Sequence, residues 1–286
     1  MRKHLVIPDC QITPTSPKDH LSWIGQYIVE KKPDVIVNLG DFADMESLSS
    51  FDKGKLKAEG KRYRKDIEAA KEGMGMLVGP MEELNSKRRA RKAKQYKPEM
   101  HLTLGNHEFR INRAVESDAA MEGFMSADDL GYEDFGWQVH PFLTIVTIDG
   151  IAYSHYFCNP LSGRPYGGMS MDTRLKNLGF SHIQGHQQVF LIGSRFLNNG
   201  RTIRGLVASS CYLHDEDYRG PQANGEMRAI FLLHEVHDGD YMLNEVSLDF
   251  LCRKYQGIPL WQFMKEKYPD IFNQSTWMKR RELMAG

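Results

Sequence analysis

The chain has 286 residues, of which 41% are hydrophobic and 26% are charged, and its 37 basic residues balance its 37 acidic residues. This composition is typical of a globular protein, and a net charge of zero argues against uniform electrostatic capture by nucleic acid or by a membrane. No run approaches the roughly 20 apolar residues of a membrane span, and the N-terminus lacks the apolar length of a signal peptide, so we expect a cytoplasmic protein.

The charge is unevenly distributed. Residues 53–97 contain fifteen basic and six acidic residues, which gives this segment a charge of +9. Such a segment is either a solvated helical face or a surface that steers anionic ligands. The four cysteines form no Cys-x-x-Cys pair, which argues against a zinc knuckle and a disulfide framework.

The first half of the chain alternates between strand and helix patterns. A strand at 5–7 is followed by a helix at 18–32 with an apolar stripe at helical spacing, and then by a strand at 35–39. The basic segment at 53–97 is predicted to be helical, although its glycines and Pro80 favour an interruption. A further strand follows at 101–104, so this half reads as βαβ units.

The second half is richer in strands. After a helix at 110–125, the sequence Asp149-Gly150 between two apolar runs predicts a hairpin with a tight type I′ turn. Further strands are predicted at 189–196, 202–208, 228–236 and 241–248. A helical tail at 258–286 either caps the sheet or faces a partner. We find no internal repeat and no linker, so we expect a single domain over 1–286.

Five of the apolar runs stop at residues that can hold a metal ion. Ligands of alternating strand and helix folds bind beyond the carboxyl ends of the strands, so these residues predict one convergent site. They are Asp9 and Gln11, Asp41 and Asp44, Asn106 and His107, His155, and His186 and Gln188.

Asp41 is central to this prediction. A carboxylate at the end of a central strand can bridge two cations about 3.5–4 Å apart, the separation that two-metal phosphoester hydrolases use. The preceding Gly40 allows a close approach of the backbone.

In this order, the motifs resemble those of the calcineurin-like metallophosphoesterase superfamily. The matching sequences are Asp9-x-Gln11, Gly40-Asp41-x-x-Asp44, Gly105-Asn106-His107-Glu108, His155 and Gly185-His186-x-Gln188. They span residues 9–188, about two-thirds of the chain.

The resemblance implies an α/β fold, in which two mixed sheets form a sandwich flanked by helices. It also implies hydrolysis of phosphoric esters by a hydroxide held between two divalent metal ions. Site one would use Asp9, Gln11, Asp41 and Gln188, and site two would use Asp41, Asn106, His155 and His186. His107 would protonate the leaving group, with Asp44 holding its ring.

The sequence departs from the family at two positions. Gln11 and Gln188 replace histidines of the family pattern, and both belong to site one. Because amide oxygens are hard ligands, we expect Mn²⁺ or Mg²⁺ rather than Zn²⁺ or Fe at this site.

Side chains near the motifs suggest substrate contacts. Arg110 and Arg164 could each contact phosphate through a bidentate fork, the latter from a loop at 159–168 that follows His155. Four aromatic residues could stack on a nucleobase, although packing in the core is an alternative for at least two of them. They are Phe109, Tyr156, Phe157 and Tyr166.

Three functions are compatible with this sequence. The basic segment and the aromatic residues favour a phosphodiesterase or nuclease acting on a nucleotide or nucleic acid. A phosphomonoesterase is the first alternative, although Met45-Glu46 after Asp44 replaces the Arg-Gly of the family's protein phosphatases. A scaffold that kept the fold without catalysis is the second, motivated by the two glutamines. The sequence does not define the oligomeric state.

Overall fold

The computed structural model describes residues 1–50, 54–56 and 59–285. Lys53 and Lys57 of the basic segment and Gly286 of the tail lie outside the described residues. The strands are β1 (Arg2–Ile7), β2 (Val35–Asn38), β3 (Glu99–Thr103), β4 (Gln138–His140), β5 (Val146–Ile148), β6 (Ile151–Ser154), β7 (His182–Gln184), β8 (Leu191–Phe196), β9 (Thr202–Val207), β10 (Ala229–His237) and β11 (Asp240–Ser247). The helices are α1 (Asp19–Lys31), α2 (Tyr63–Ala90), α3 (Arg110–Ser117), α4 (Met171–Leu178), α5 (Gly220–Ala223), α6 (Leu248–Gln256), α7 (Leu260–Lys267), α8 (Pro269–Gln274) and α9 (Thr276–Ala285).

The strands form two mixed sheets. The first has the order β11-β10-β1-β2-β3-β4, in which β1 to β4 run parallel and β10 and β11 antiparallel. The second has the order β5-β6-β7-β9-β8, with β6, β7 and β9 parallel. The carboxyl ends of five parallel strands, β1, β2, β3, β6 and β7, therefore meet at one edge of the molecule.

The two sheets pack face to face because the side chains of their strands alternate. Val6 of β1 and Phe231 of β10 lie between the sheets with Tyr153 and Ile183 of the second sheet. Leu5 and the other outward residues of the first sheet pack against α1, α2 and the C-terminal helices. Met171 and Leu175 of α4 cover the second sheet. This order of layers, helix, sheet, sheet and helix, confirms the predicted fold class.

The long helix α2 is unbroken, contrary to the expected interruption. Pro80 lies inside it, and a Cβ at Gly25 of α1 would overlap Leu77 and Pro80. A Cβ at Gly73 would press against Leu21. The glycines therefore allow α1 and α2 to pack closely, and this packing outweighs the poor helix propensity of the segment.

Other elements differ from the predictions in extent. The helix predicted at 110–125 ends at Ser117, where Asp118 leaves the helical conformation and caps the following turn. Helices α4 and α6 and strand β4 were not predicted. The hairpin of β5 and β6 is confirmed, with φ values of 48° at Asp149 and 82° at Gly150 that suit a type I′ turn.

The C-terminal tail caps the first sheet. Leu260, Met264, Phe272 and Trp277 are buried in the core on the outer face of that sheet. Within the described ranges, we find no helix long and apolar enough to cross a membrane.

The end of α2 lies far from the convergent strand ends. Arg88, Lys94 and Lys97 line a groove together with Asp34 and Glu99, which lie where β2 and β3 begin. Because β2 and β3 begin at this groove and end at the convergent edge, the basic cluster is at the opposite edge of the sheet.

Candidate metal centre

The predicted ligands lie together at the edge where the five strands end, and two hydrogen bonds join the sheets there. Nδ1 of His155, after β6, lies 2.8 Å from the carbonyl oxygen of Leu39, after β2. The backbone N–H of His186, after β7, donates to Oδ1 of Asp9 over 3.1 Å. The two halves of the site are thus fixed to each other by groups that belong to the motifs.

The glycines of the motifs make this close approach possible. A Cβ at Gly105 would overlap the carboxylate of Asp41, and a Cβ at Gly185 would overlap the carboxylate of Asp9. Larger residues at either position would therefore push the strand ends apart.

Four of the predicted ligands adopt a left-handed backbone conformation. The φ values are 43° at Gln11, 48° at Asp41, 66° at His186 and 54° at Gln188. Residues other than glycine adopt this conformation at a cost and are concentrated at functional sites. At these four positions the left-handed conformation ends the extended backbone of the strand and changes the direction of the chain.

Glu108 holds the two loops that carry Asp41 and Asn106. Its Oε2 accepts hydrogen bonds from the backbone N–H groups of Asp41 and Gly105, both over 2.9 Å, and its Oε1 accepts one from Ala43 over 3.0 Å. The sequence placed Glu108 in a motif but assigned it no role. The available signal was an acidic residue directly after His107 in the Gly105–Glu108 motif.

One cluster of oxygen and nitrogen atoms has the character of a metal site. Nε2 of His155 lies 2.9 Å from Oδ1 of Asn106 and 3.4 Å from Oδ2 of Asp41. One ligand atom each from Asp41, His155 and His186 lies within 4.8 Å of the others. These four residues are the ones expected for site two.

This cluster fits a divalent cation. Nδ1 of His155 donates to the Leu39 carbonyl, so the lone pair of Nε2 faces two further acceptors. Burial would lower the pKa of His155, but Asp41 raises it to about 9. The cluster therefore favours a positive charge at this position, and carboxylate, amide and imidazole donors suit a transition metal.

Burial also shifts the pKa values of the other ionisable groups of the centre. Burial raises the pKa of Asp9 to about 7. Burial would also raise the pKa of Asp41, but His107 and His155 hold it well below its usual range. The pKa of His186 is lowered to about 4 by burial and by the neighbouring His155. A neutral His186 is the form that binds metal.

His107, Asp44 and Arg110 form a hydrogen-bonded group beside the cluster. Nδ1 of His107 lies 2.5 Å from Oδ1 of Asp44, and its Nε2 lies 3.7 Å from Oδ2 of Asp41. Arg110 donates to the backbone carbonyl of Asp44 over 2.7 Å and lies 3.2 Å from Nε2 of His107. Burial would lower the pKa of His107, but Asp41 and Asp44 raise it. Arg110 thus contacts both members of the His107–Asp44 pair.

Gln188 is held by side chains that the sequence did not identify. Its Oε1 accepts from the hydroxyl of Tyr212 over 2.9 Å and from Nη1 of Arg219 over 3.2 Å. Because a guanidinium group only donates, the atom that faces Arg219 is the oxygen. Both lone pairs of this oxygen are used, so Gln188 does not fit the metal ligand expected at site one.

Gln11 and Gln188 share a hydrogen-bond partner, the hydroxyl of Tyr218. Nε2 of Gln11 donates to this hydroxyl over 3.1 Å, and Nε2 of Gln188 donates to it over 3.0 Å. Oδ2 of Asp9 and Oε1 of Gln11 are buried and have no hydrogen-bond partner among the described residues. Tyr218 and Arg219 belong to a turn 30 residues beyond the last motif, and no pattern in the sequence pointed to them.

Aromatic rings line one side of the cluster. Tyr156 packs on His186, with ring centroids 4.6 Å apart, and on Phe142 at 5.5 Å. Phe142 also stacks on Phe109 at 4.9 Å. Phe109, Phe142 and Tyr156 are half-buried, and we call them the aromatic platform. Phe157 is buried in the core, and Phe142 was not predicted.

Arg164 lies in the loop at 159–168, as expected from its place after β6. It is exposed, and the backbone of this loop is closed by a bridge between Cys158 and Pro165. Tyr166 of the same loop is half-buried, and its N–H donates to the carbonyl of Phe157.

No family model and no curated protein matches this sequence. Among solved structures, YfcE, a phosphoesterase from E. coli, is 10% identical over 86% of this chain and 99% of that chain, with a TM-score of 0.37. A second structure aligns over the same shares at 15% identity and a TM-score of 0.39.

Proposed function

We propose that this protein hydrolyses phosphoric esters with the help of a divalent metal ion. The observation that carries the proposal is the placement of Nε2 of His155 against Asp41 and Asn106, beside the pair formed by His107 and Asp44. The first group can hold a cation, and the second can hold or move a proton. A scaffold without catalysis has no need for the second group.

Asp41, Asn106, His155 and His186 would hold the metal ion. When bound, this ion would act as a Lewis acid on a phosphoryl oxygen and lower the pKa of a water molecule. Glu108 and the Leu39 carbonyl hold Asp41 and His155 in position, so these two ligands are oriented before substrate binds.

His107 is proposed as the general acid. Asp44 accepts the hydrogen bond of Nδ1, so the proton available for transfer is the one that Nε2 carries when the ring is protonated; in the neutral ring Nε2 accepts from Arg110 over 3.2 Å. Nε2 faces the cluster, where the leaving oxygen of an ester would lie. Asp44 also stabilises the protonated ring electrostatically. Arg110 lies next to Nε2 of His107 and is proposed to contact the phosphate of the substrate. Arg164, in the loop at 159–168, is proposed to do the same.

We favour a phosphodiester or a nucleotide as the substrate because of the aromatic platform. Its rings lie next to His186, which places a flat apolar surface close to the metal ligands. A nucleobase stacks well on such a surface. The distant basic cluster at Arg88 and Lys94 does not add to this argument. A phosphomonoesterase remains the alternative, and one screen tests both.

Mn²⁺ is the proposed ion, with Mg²⁺ second, because Asp41 and Asn106 offer hard oxygen donors. The imidazoles of His155 and His186 also suit Zn²⁺ or Fe²⁺, so the screen includes these ions. A second ion was expected at Asp9, Gln11, Asp41 and Gln188. Its support is weaker because the oxygen of Gln188 already accepts two hydrogen bonds.

The experiment is a metal screen on chelator-treated protein. Mn²⁺, Mg²⁺, Zn²⁺ and Fe²⁺ are each tested with bis-p-nitrophenyl phosphate and p-nitrophenyl phosphate, with Asp41→Asn as the inactive control. Hydrolysis that needs a divalent ion and is lost in Asp41→Asn supports the proposal. Folded protein that turns over neither ester with any ion would favour the scaffold.

A further inference from the structure

We infer that this chain binds a single divalent cation, at Asp41, Asn106, His155 and His186, and that Tyr218 and Arg219 take the place of a second one. The inference rests on the proposed function, which it refines by setting the number of ions. It is drawn from the hydrogen bonds around Gln11 and Gln188, which no motif anticipated.

The first step is the occupancy of Gln188. Its oxygen has two lone pairs, and Tyr212 and Arg219 donate to both. A cation that used this oxygen would have to displace one of them. Arg219 would resist displacement because it also donates to the backbone carbonyl of Gln188 over 2.9 Å and to the hydroxyl of Tyr212 over 3.2 Å.

The second step is charge. The guanidinium group of Arg219 brings a fixed positive charge to the oxygen that site one would offer to a cation. Gln188 is buried and Arg219 is half-buried, so two positive charges that share this oxygen are only partly screened by water and repel each other. The guanidinium therefore replaces part of the charge of a second ion and disfavours its binding.

The third step is Tyr218. Its phenolic oxygen accepts hydrogen bonds from the amides of Gln11 and Gln188, so both amides direct their N–H groups to one shared acceptor. N–H groups repel a cation. The O–H of Tyr218 remains free to donate to a phosphoryl oxygen, because both lone pairs of its oxygen are used.

The turn that carries these residues is anchored. The backbone N–H of Glu216 donates to Oδ1 of Asn224 over 2.9 Å, and Nδ2 of Asn224 donates back to the carbonyl of Glu216 over 2.8 Å. Asn224 is buried. The residue at the start of the turn is thus fixed to the fold, and Tyr218, although 66% exposed, and Arg219 follow it in the same turn.

Oδ2 of Asp9 and Oε1 of Gln11 are the acceptors that a second cation could still use. With Asp41 they would supply three protein oxygens, and the fourth expected ligand would be missing. We take these two atoms as acceptors for the substrate or for water.

The experiment counts bound metal on the full chain. Chelator-treated protein is loaded with excess Mn²⁺, desalted, and analysed for manganese by mass spectrometry and by electron paramagnetic resonance. We expect one equivalent with the spectrum of an isolated Mn²⁺. Two equivalents with a spin-coupled spectrum would overturn the inference and leave the proposed function standing. No retained or titratable metal would overturn both.

A matched pair of variants locates the ion. His186→Gly and Gln188→Gly alter neighbouring residues that share a left-handed backbone, which glycine adopts without strain. His186→Gly should weaken Mn²⁺ binding at least 10-fold, and Gln188→Gly should keep one equivalent at nearly the original affinity. The reverse pattern would contradict the inference. If either variant misfolds, the stoichiometry of the unmodified protein still decides.

Discussion

The buried carboxylate of Glu108 accepts the backbone N–H of Asp41 over 2.9 Å, which links the residue that follows His107 to the carboxylate at the centre of the site. The same carboxylate accepts from Gly105 and Ala43. Burial raises the pKa of Glu108, and the backbone donors oppose this rise. One side chain thus fixes the geometry of two strand ends.

Replacing Glu108 by Ala should therefore destabilise the protein and weaken metal binding. Three buried backbone N–H groups would lose their acceptor, at roughly 1–3 kcal/mol each. We expect a loss of about 3 kcal/mol or more in the free energy of unfolding, measured by urea denaturation. Glu116→Ala, at an exposed position of α3, is the control. A Glu108→Ala variant as stable as this control would show that the three hydrogen bonds of Glu108 are not needed for stability.

The pair of His107 and Asp44 gives a second prediction. His107→Gln should lower kcat about 100- to 10,000-fold, because it removes the general acid. Asp44→Asn should lower it about 10- to 100-fold, since the ring loses the partner that orients it. Both variants should retain bound Mn²⁺. The measurements are steady-state kinetics and metal analysis, and loss of metal in His107→Gln would mean that His107 is a ligand instead.

Much of the fold could be predicted because strand ends and glycines leave a local signal. The runs before Asp9, Asp41, Asn106, His155 and His186 are strands, and helix α1 lies within one residue of its predicted limits. Local pattern failed where tertiary packing decides. The glycines and Pro80 of α2 indicated a break, yet Gly73 and Pro80 lie at the close contact with α1.

The candidate site was only partly accessible from the sequence for a similar reason. Its motif residues precede or follow strands, whereas Tyr218 and Arg219 reach Gln188 across a gap of about 30 residues. Nothing in their local sequence encodes that contact. The sequence shows that Gln188 replaces a histidine of the family pattern, but it does not show that Tyr218 and Arg219 bind this glutamine.

Metal removal should lower the stability of the folded chain. A cation that binds only the folded state stabilises it by roughly 2.7 kcal/mol at a concentration 100 times its Kd. We expect the midpoint of thermal unfolding to rise with Mn²⁺ and to return after chelation. The Asp41→Asn variant should show little of this rise. An equal rise in both proteins would place the bound ion elsewhere.

His20 predicts a loss of stability in acid. Burial lowers its pKa to about 3, against an ordinary value of 6.5, and Asp19 opposes this shift while His214 and Arg228 add to it. The unfolded chain thus binds a proton at His20 below pH 6.5, and the folded chain does not bind one until about pH 3. The stability that His20 contributes is complete above pH 6.5 and is lost as the pH falls.

The measurement is the free energy of unfolding by urea between pH 7 and pH 4. His20 should contribute a slope of roughly 1.4 kcal/mol per pH unit in the lower part of this range. His20→Gln should remove that part of the slope, whatever its effect on stability at pH 7. A slope unchanged by the substitution would show that His20 is protonated in the folded protein.

The aromatic platform gives a prediction about substrate choice. If a nucleobase stacks on Tyr156 and Phe142, Phe142→Ala should weaken binding by the equivalent of about 1–3 kcal/mol. We expect kcat/KM to fall roughly 5- to 150-fold for thymidine 5′-p-nitrophenyl phosphate, a diester that carries a base. For methyl p-nitrophenyl phosphate, which carries none, it should change much less. Because the two diesters share a leaving group, their ratio isolates the contribution of the base, and an equal loss on both would assign Phe142 to the support of His155 instead.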